Sequence, residues 1–247
     1  MKYSVLTYIF GGGELLRDFT PEIEGDIEYI CVTDDETLKS DVWKIIVDED
    51  LKQLDPLLAS FYVRHHPFKY VSGDICMRLD GSVQIKKSLL PVFQEFESLN
   101  KDMCLMTNSR AKNIFIEMMQ WRGCENILLN QISLYGNVKV NIYKQGSLQT
   151  PIIITKNNEL VEKCDQLCWE WIEYLQQFDS KVRPSQALFT GAVAATKGLE
   201  LMFVDESFIQ SDYLQWFNHN SNTIRRSKKH LKHKYFFEQP IEIHTFK

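Results

Sequence analysis

Asp74-Ile75-Cys76-Met77-Arg78-Leu79-Asp80-Gly81-Ser82 is the stretch on which the reading of this chain turns. Its first six residues predict a buried strand, and Asp80-Gly81-Ser82 predicts the polar turn that ends it. Just upstream the pattern is helical. Asp55 reads as an N-cap with Pro56 at the first helical position. Leu57, Leu58, Phe61 and Tyr62 supply an apolar face, and Pro67 stops the helix. Before it come three more strand-like runs. Tyr3 to Phe10 ends in Gly11-Gly12-Gly13, Ile27 to Thr33 ends in Asp34-Asp35, and Val42 to Val47 is the third. This βαβ-like order predicts an α/β fold with a mostly parallel central sheet covered by helices.

The rest of the chain continues the pattern. Leu89–Phe96, Asn113–Trp121, Asn158–Phe178 and Pro184–Thr196 read as helices; Met103–Met106, Thr150–Thr155 and Leu199–Val204 read as strands. Gly198 is expected near a helix C-terminus. No repeat or linker interrupts residues 1–210, so one domain is expected there. A basic tail over residues 211–247 is expected to pack on it or extend it.

Composition excludes several classes. The chain has 247 residues, 44% hydrophobic and 25% charged, which is globular and not disordered. A net charge of −5 argues against general nucleic-acid binding. No apolar run is long enough to span a membrane, and the N-terminal run is too short for a signal peptide, so a cytoplasmic protein is expected. The six cysteines form no Cys-x-x-Cys pair and are expected to be buried, reduced thiols. Trp169 and Trp171 on the long helix are expected in the core rather than in a sugar platform.

Open α/β sheets bind ligands beyond the carboxyl ends of their strands. The Gly11 to Asp18 loop, Asp34-Asp35 and Asp80-Gly81-Ser82 all fall there, and they converge if their strands are neighbours. The glycine loop allows close backbone approach but lacks the Gly-x-Gly-x-x-Gly spacing and a following Gly-Lys-Ser/Thr. A dinucleotide dehydrogenase and a P-loop enzyme are therefore disfavoured. Asp80 suits a hard divalent cation, or alternatively caps its own turn. Asp74, Arg78 and Asp80 share one face of the strand by alternation. Arg64, His65 and His66 end a helix, where cations suit the dipole; Arg64 is alternatively placed to reach a diphosphate. Arg110, after Thr107-Asn108-Ser109, opens a helix in this reading, and Ser185-Gln186 opens another. Such helix starts hold anions or sugar hydroxyls, or are simply capped.

In order, Tyr3-Ser4-Val5-Leu6-Thr7 with the glycine loop, Tyr29-Ile30-Cys31-Val32-Thr33-Asp34, Arg64, the Asp74 to Val83 stretch, Arg110, Gly146 to Ile154 and Pro184-Ser185-Gln186-Ala187 resemble a glycosyltransferase-like family with a nucleotide-sugar fold of the GT-A type. Its members occur in bacterial capsule and lipopolysaccharide gene clusters and in plant Golgi proteins. The resemblance covers roughly residues 3–204. It implies transfer of a sugar from a nucleotide-sugar donor to a glycan or lipid-linked acceptor. It further implies donor binding by Thr7, Gly11, Gly12, Asp34, Arg64, Arg78, Asp80 and Ser82, and catalytic roles for Asp80, Arg110 and Gln186. Asp80 stands where such enzymes carry an Asp-x-Asp metal motif for Mn²⁺ or Mg²⁺, with His219 or His244 as a late ligand. The motif departs from the family at Ser82, where the second acid is absent, and at Thr107-Asn108-Ser109, where relatives often carry a His.

Arg225 to Lys234 holds six Lys or Arg, two His and no acid. It reads as a solvated face, as a peripheral contact with anionic lipid, or as a closure over a diphosphate; RNA binding lacks interleaved aromatics. A non-catalytic nucleotide- or carbohydrate-binding protein on the same fold is the competing function class.

Overall fold

The computed structural model describes residues 1–12, 14–19, 27–119, 125–178 and 185–217. Seven strands form the central sheet: β1 (Tyr3–Ile9), β2 (Ile27–Thr33), β3 (Lys44–Val47), β4 (Ile75–Asp80), β6 (Met103–Thr107), β7 (Leu148–Lys156) and β8 (Leu201–Val204). Their order is β3-β2-β1-β4-β7-β6-β8. The pairs β1–β2, β2–β3, β1–β4 and β6–β8 are parallel, whereas β7 runs antiparallel to β4 and β6. The sheet is thus mostly parallel, and nearly every position of β1 and β4 is buried, as strands covered on both faces must be.

Six helices are described: α1 (Pro56–His65), α2 (Leu90–Ser98), α3 (Ile114–Met119), α4 (Glu125–Asn137), α5 (Glu159–Gln176) and α6 (Ser185–Ala195). Their starts follow from local chemistry. The Asp55 side chain accepts the Leu57 amide, with Pro56 at the first position, and the Asn158 side chain accepts the Val161 amide at the head of α5. One sheet face packs Leu6, Tyr8, Ile30 and Cys76 against α1, and Leu105 and Ile153 against α5 and α6. The other packs Val5, Met77 and Ile154 under α2 and a two-stranded sheet of β5 (Val83–Ile85) and β9 (Leu214–Trp216). The apolar stripe of α5, at Val161, Cys164, Cys168, Ile172 and Leu175, is spaced to face the sheet. Trp169 and Trp171 are buried with it, as expected.

Four features differ from the sequence reading. Asp74 is exposed and precedes β4, where its carboxylate accepts the Lys2 amide; it is at the strand end opposite Asp80. The helix expected at Arg110 starts at Ile114, because Asn113 supplies the cap by accepting the Ile116 amide. Helix α4 was not foreseen. Nor was β9, whose partner β5 lies about 130 residues earlier. Leu214 and Trp216, in the segment expected to pack on the domain or extend it, are core residues. Cys31, Cys76, Cys104, Cys164 and Cys168 are buried and free. Cys124, Gly13, Arg183, Pro184, His219, His244 and the Arg225–Lys234 run are outside the described residues.

Candidate functional site

The chain leaves β1 for β2 and β3 on one side, then crosses back through α1 to β4 on the other. The carboxyl ends of β1 and β4 therefore flank a topological switch point, where an open α/β sheet leaves a crevice. Gly11-Gly12 follow β1 there, and Asp80-Gly81-Ser82 end β4.

The glycine turn is shaped by its surroundings. Gly11 and Gly12 have φ of 61° and 62°, the left-handed region that side chains disfavour. A Cβ on Gly11 would lie 2.6 Å from Pro56 Cγ, so the turn can sit tightly on the start of α1. Among the described residues nothing lies within 4 Å of a Cβ built on Gly12, so its backbone faces away from them. Asp34, at the end of β2, accepts the Gly11 amide on its carboxylate at 2.9 and 3.1 Å. The glycine turn and Asp34 are thus one unit.

Asp80 is joined to Tyr8 and Arg64. Register pairs Tyr8 with Asp80 across β1 and β4. The Tyr8 hydroxyl donates to Asp80 Oδ1 at 2.8 Å, and Arg64 Nη2 donates to the same oxygen at 2.6 Å. Arg64 Nε donates to the Tyr8 hydroxyl at 2.6 Å. Burial pushes the Tyr8 phenol well above its ordinary range, so it stays protonated and keeps donating. Burial opposes the charge on Arg64, but the Asp80 carboxylate and the hydrogen bonds to Tyr8 and Asp80 outweigh it and hold the guanidinium in its cationic form. Asp80 Oδ2 accepts no hydrogen bond among the described residues, and the side chain retains 22% exposure. The arrangement presents one anionic oxygen, clamped from below and open above.

Other expected residues fall around or beneath this point. Ser82 is buried; its hydroxyl accepts Trp216 Nε1 at 3.2 Å and its carbonyl accepts the Phe217 amide, so β9 pins the turn. Thr7 is buried inside β1, between Cys31 and Leu79. Arg78 is 1% exposed and turned into the interior, bound to Asp165 of α5. That placement buries it beneath the end of β4. Arg110 is exposed beyond β6, and Gln186 lies in the first turn of α6. No hydrogen bond or ring contact among the described residues joins either to Asp80 or Arg64.

A second polar group sits along the same edge, at the ends of β6 and β8 and the start of β7. Gln149 Nε2 donates to Glu206 Oε1 at 2.6 Å and to Asn108 Oδ1 at 3.1 Å. Ser109 Oγ donates to Glu206 at 2.8 Å, and Asn108 Nδ2 donates to the buried Glu117 at 2.7 Å. Gln149 Oε1 is buried with no hydrogen-bond partner among the described residues, an acceptor left for a donor from elsewhere. Sequence reasoning assigned no role to Gln149, Glu117 or Glu206, nor to Arg17, whose Nη1 donates to the Gly81 carbonyl at 2.9 Å. The available signal was Gln149-Thr150 opening an otherwise apolar strand, since buried polar groups need a reason.

A divalent ion needs several hard oxygen ligands. Asp80 offers one unengaged oxygen, and an arginine nitrogen sits on the other. Among the described residues no group of three or more His, Cys, Asp or Glu converges. The residues described do not fit such an ion, and His244 lies outside them.

Comparison with protein-family models and with curated proteins gives no match. Solved structures do resemble this one. The galactosyltransferase LgtC in complex with donor and acceptor sugar analogues matches with a TM-score of 0.47 and 13% identity, over 85% of this chain and 79% of that one. An active-site mutant of LgtC matches with a TM-score of 0.46 and 13% identity, over 81% and 72%. Mouse xyloside xylosyltransferase 1, in its apo form, matches with a TM-score of 0.47 and 10% identity, over 83% and 86%. Among the described residues, no helix is long and apolar enough to cross a membrane.

Proposed function

We propose that this chain is a glycosyltransferase that moves a sugar from a nucleotide-sugar donor to a cell-surface glycan or lipid-linked acceptor, as in capsule or lipopolysaccharide synthesis. The observation that carries the reading is the meeting of Gly11-Gly12, Asp34 and the Asp80–Tyr8–Arg64 cluster at the switch point between β1 and β4. These are the stations on which the family resemblance rests, and a crevice of this kind is where nucleotides bind in open α/β sheets.

In this reading the exposed Gly12 backbone and Asp34 take the nucleoside. Asp80 Oδ2 accepts a hydroxyl of the sugar or ribose, while Arg64 keeps Asp80 oriented. Gln149, Asn108 and Glu206 offer hydrogen bonds farther along the edge, where the transferred sugar meets its acceptor. Preorganised groups of this kind stabilise charge that develops in the transition state without reorganising at the moment of reaction. Arg110 and Gln186 remain candidates for catalytic roles, and the basic tail for contact with anionic lipid.

A thermal-shift screen of UDP-, GDP-, CMP- and dTDP-sugars tests this. A ligand at 100 times its Kd adds about 2.7 kcal/mol of stability, a shift of several degrees. One nucleotide class is expected to shift the melt, equally in Mn²⁺ and in EDTA, and to be slowly hydrolysed. No shift with any of them overturns the reading. A shift without turnover of the donor, even with acceptor glycans added, favours the non-catalytic binder, the class that the missing second acid at Ser82 supports.

A further inference from the structure

Beneath Asp80 lies a set of buried ionisable groups that no step above uses. Arg78 lies two residues before Asp80 on the same face of β4. Its Nη1 and Nη2 engage both carboxylate oxygens of Asp165 at 2.8 and 2.7 Å. Nη1 also donates to the Arg64 carbonyl at 2.8 Å, and Nη2 to Thr155 Oγ1 at 3.0 Å. His65 Nδ1 contacts the same Asp165 oxygen at 3.2 Å. Two successive residues in the last turn of α1 are therefore tied to one carboxylate. His65 is held by its ring, and Arg64 by its carbonyl through Arg78. The Arg64 side chain is left to run up to Tyr8 and Asp80.

Stability alone does not account for this set. A buried ion pair rarely outperforms apolar side chains of similar volume. Here the pair is also incompletely satisfied, since Arg78 Nε is buried without a partner among the described residues. Nor is it a nucleophile site, although Cys168 Sγ lies 3.5 Å from His65 Nε2 and completes a Cys–His–Asp order. Burial pushes the Cys168 thiol up and the His65 imidazole down, to about 4, and Arg78 already matches the Asp165 charge. Cys168 has no exposed surface. A neutral thiol against a neutral ring orients the ring and does no more.

We propose that the Arg78–Asp165 pair, with His65 on the same carboxylate, is a positioning unit that fixes the end of α1 so that the Arg64 guanidinium meets Asp80 from below. Arg78 and Asp165 are then positioning residues and touch no ligand. The effect on turnover rests on the proposed function; the effect on Arg64 geometry does not.

The test uses the full chain and reads solvent exchange at the Arg64 Nε–H by ¹⁵N–¹H spectroscopy, assigned with Arg64→Lys. Asp165→Asn breaks the pair. Arg78→Met with Asp165→Leu replaces it by apolar side chains and recovers the melting temperature, since an apolar pair packs well. In both variants exchange at Arg64 Nε–H is expected to rise about tenfold, the equivalent of ~1.4 kcal/mol. An apolar double variant with a wild-type melt and wild-type Arg64 protection overturns the proposal, because the pair is then packing alone. With a nucleotide sugar that binds the wild type, the double variant is expected to lose kcat while the donor KM changes little. If no nucleotide sugar binds the wild type, the functional reading fails, and the exchange measurement still decides the positioning role.

Discussion

Asp80 gives one oxygen to Tyr8 and Arg64 and leaves the other to the crevice. Replacing it by Asn removes the charge that Arg64 answers but keeps the shape. Asp80→Asn is expected to abolish donor turnover while the melting temperature stays within a few degrees of wild type; full retained activity excludes Asp80 from the site. His65 makes a second residue-level prediction. Burial lowers its pKa from the ordinary 6.5 to about 4, so the folded protein holds it neutral where the unfolded chain binds a proton. The unfolded state therefore binds more protons between those values, and stability falls as pH drops from 6.5 towards 4. The loss is on the order of 3 kcal/mol at 1.36 kcal/mol per unit. Asp165, held below its ordinary range by Arg78 and by its hydrogen bonds despite burial, adds loss in the same direction at still lower pH. Melting curves across that window should slope steeply for wild type and less for His65→Asn.

At the scale of elements, the turn after β1 separates two glycine requirements. Gly12→Ala meets only the left-handed penalty, about 1–2 kcal/mol. Gly11→Ala meets that penalty and also drives its Cβ to 2.6 Å from Pro56 Cγ, so either the turn or the head of α1 must move. Gly11→Ala is expected to lower the melting temperature more than Gly12→Ala and to weaken nucleotide binding with it. These elements were largely legible beforehand. The β-branched runs, the Asp55-Pro56 start and the amphipathic run from Asn158 are local signals, and each became the expected strand or helix. What stayed hidden was non-local. β5 and β9 are three residues each, too short for periodicity to mark, and they exist because they pair with each other.

Across the whole molecule, the expected boundary at residue 210 becomes testable. Leu214 and Trp216 are buried under the sheet, and Trp216 holds Ser82 at the candidate site. Losing a buried Trp alone costs ~3–5 kcal/mol, against a total of about 5–15 kcal/mol for a domain. A chain ending at Gln210 is expected to lose its cooperative thermal transition by circular dichroism; a transition like that of the full chain would place the domain boundary at 210.

The amino-acid order by itself determined most element types, the mostly parallel sheet and the placing of Gly11, Asp34 and Asp80 at strand ends, because those follow from short-range sterics, capping and hydrophobic alternation. Alternation also put Arg78 and Asp80 on one strand face. It could not say what covers that face. Only the packing of α1 and α5 against β4 decided that Arg78 turns inward to Asp165 while Asp80 reaches the crevice. The same holds for Tyr8 beside Asp80, 72 residues apart, and for Gln149 between Asn108 and Glu206. Such contacts depend on strand order and register, which are set by the burial of the whole sheet and not by any window of sequence.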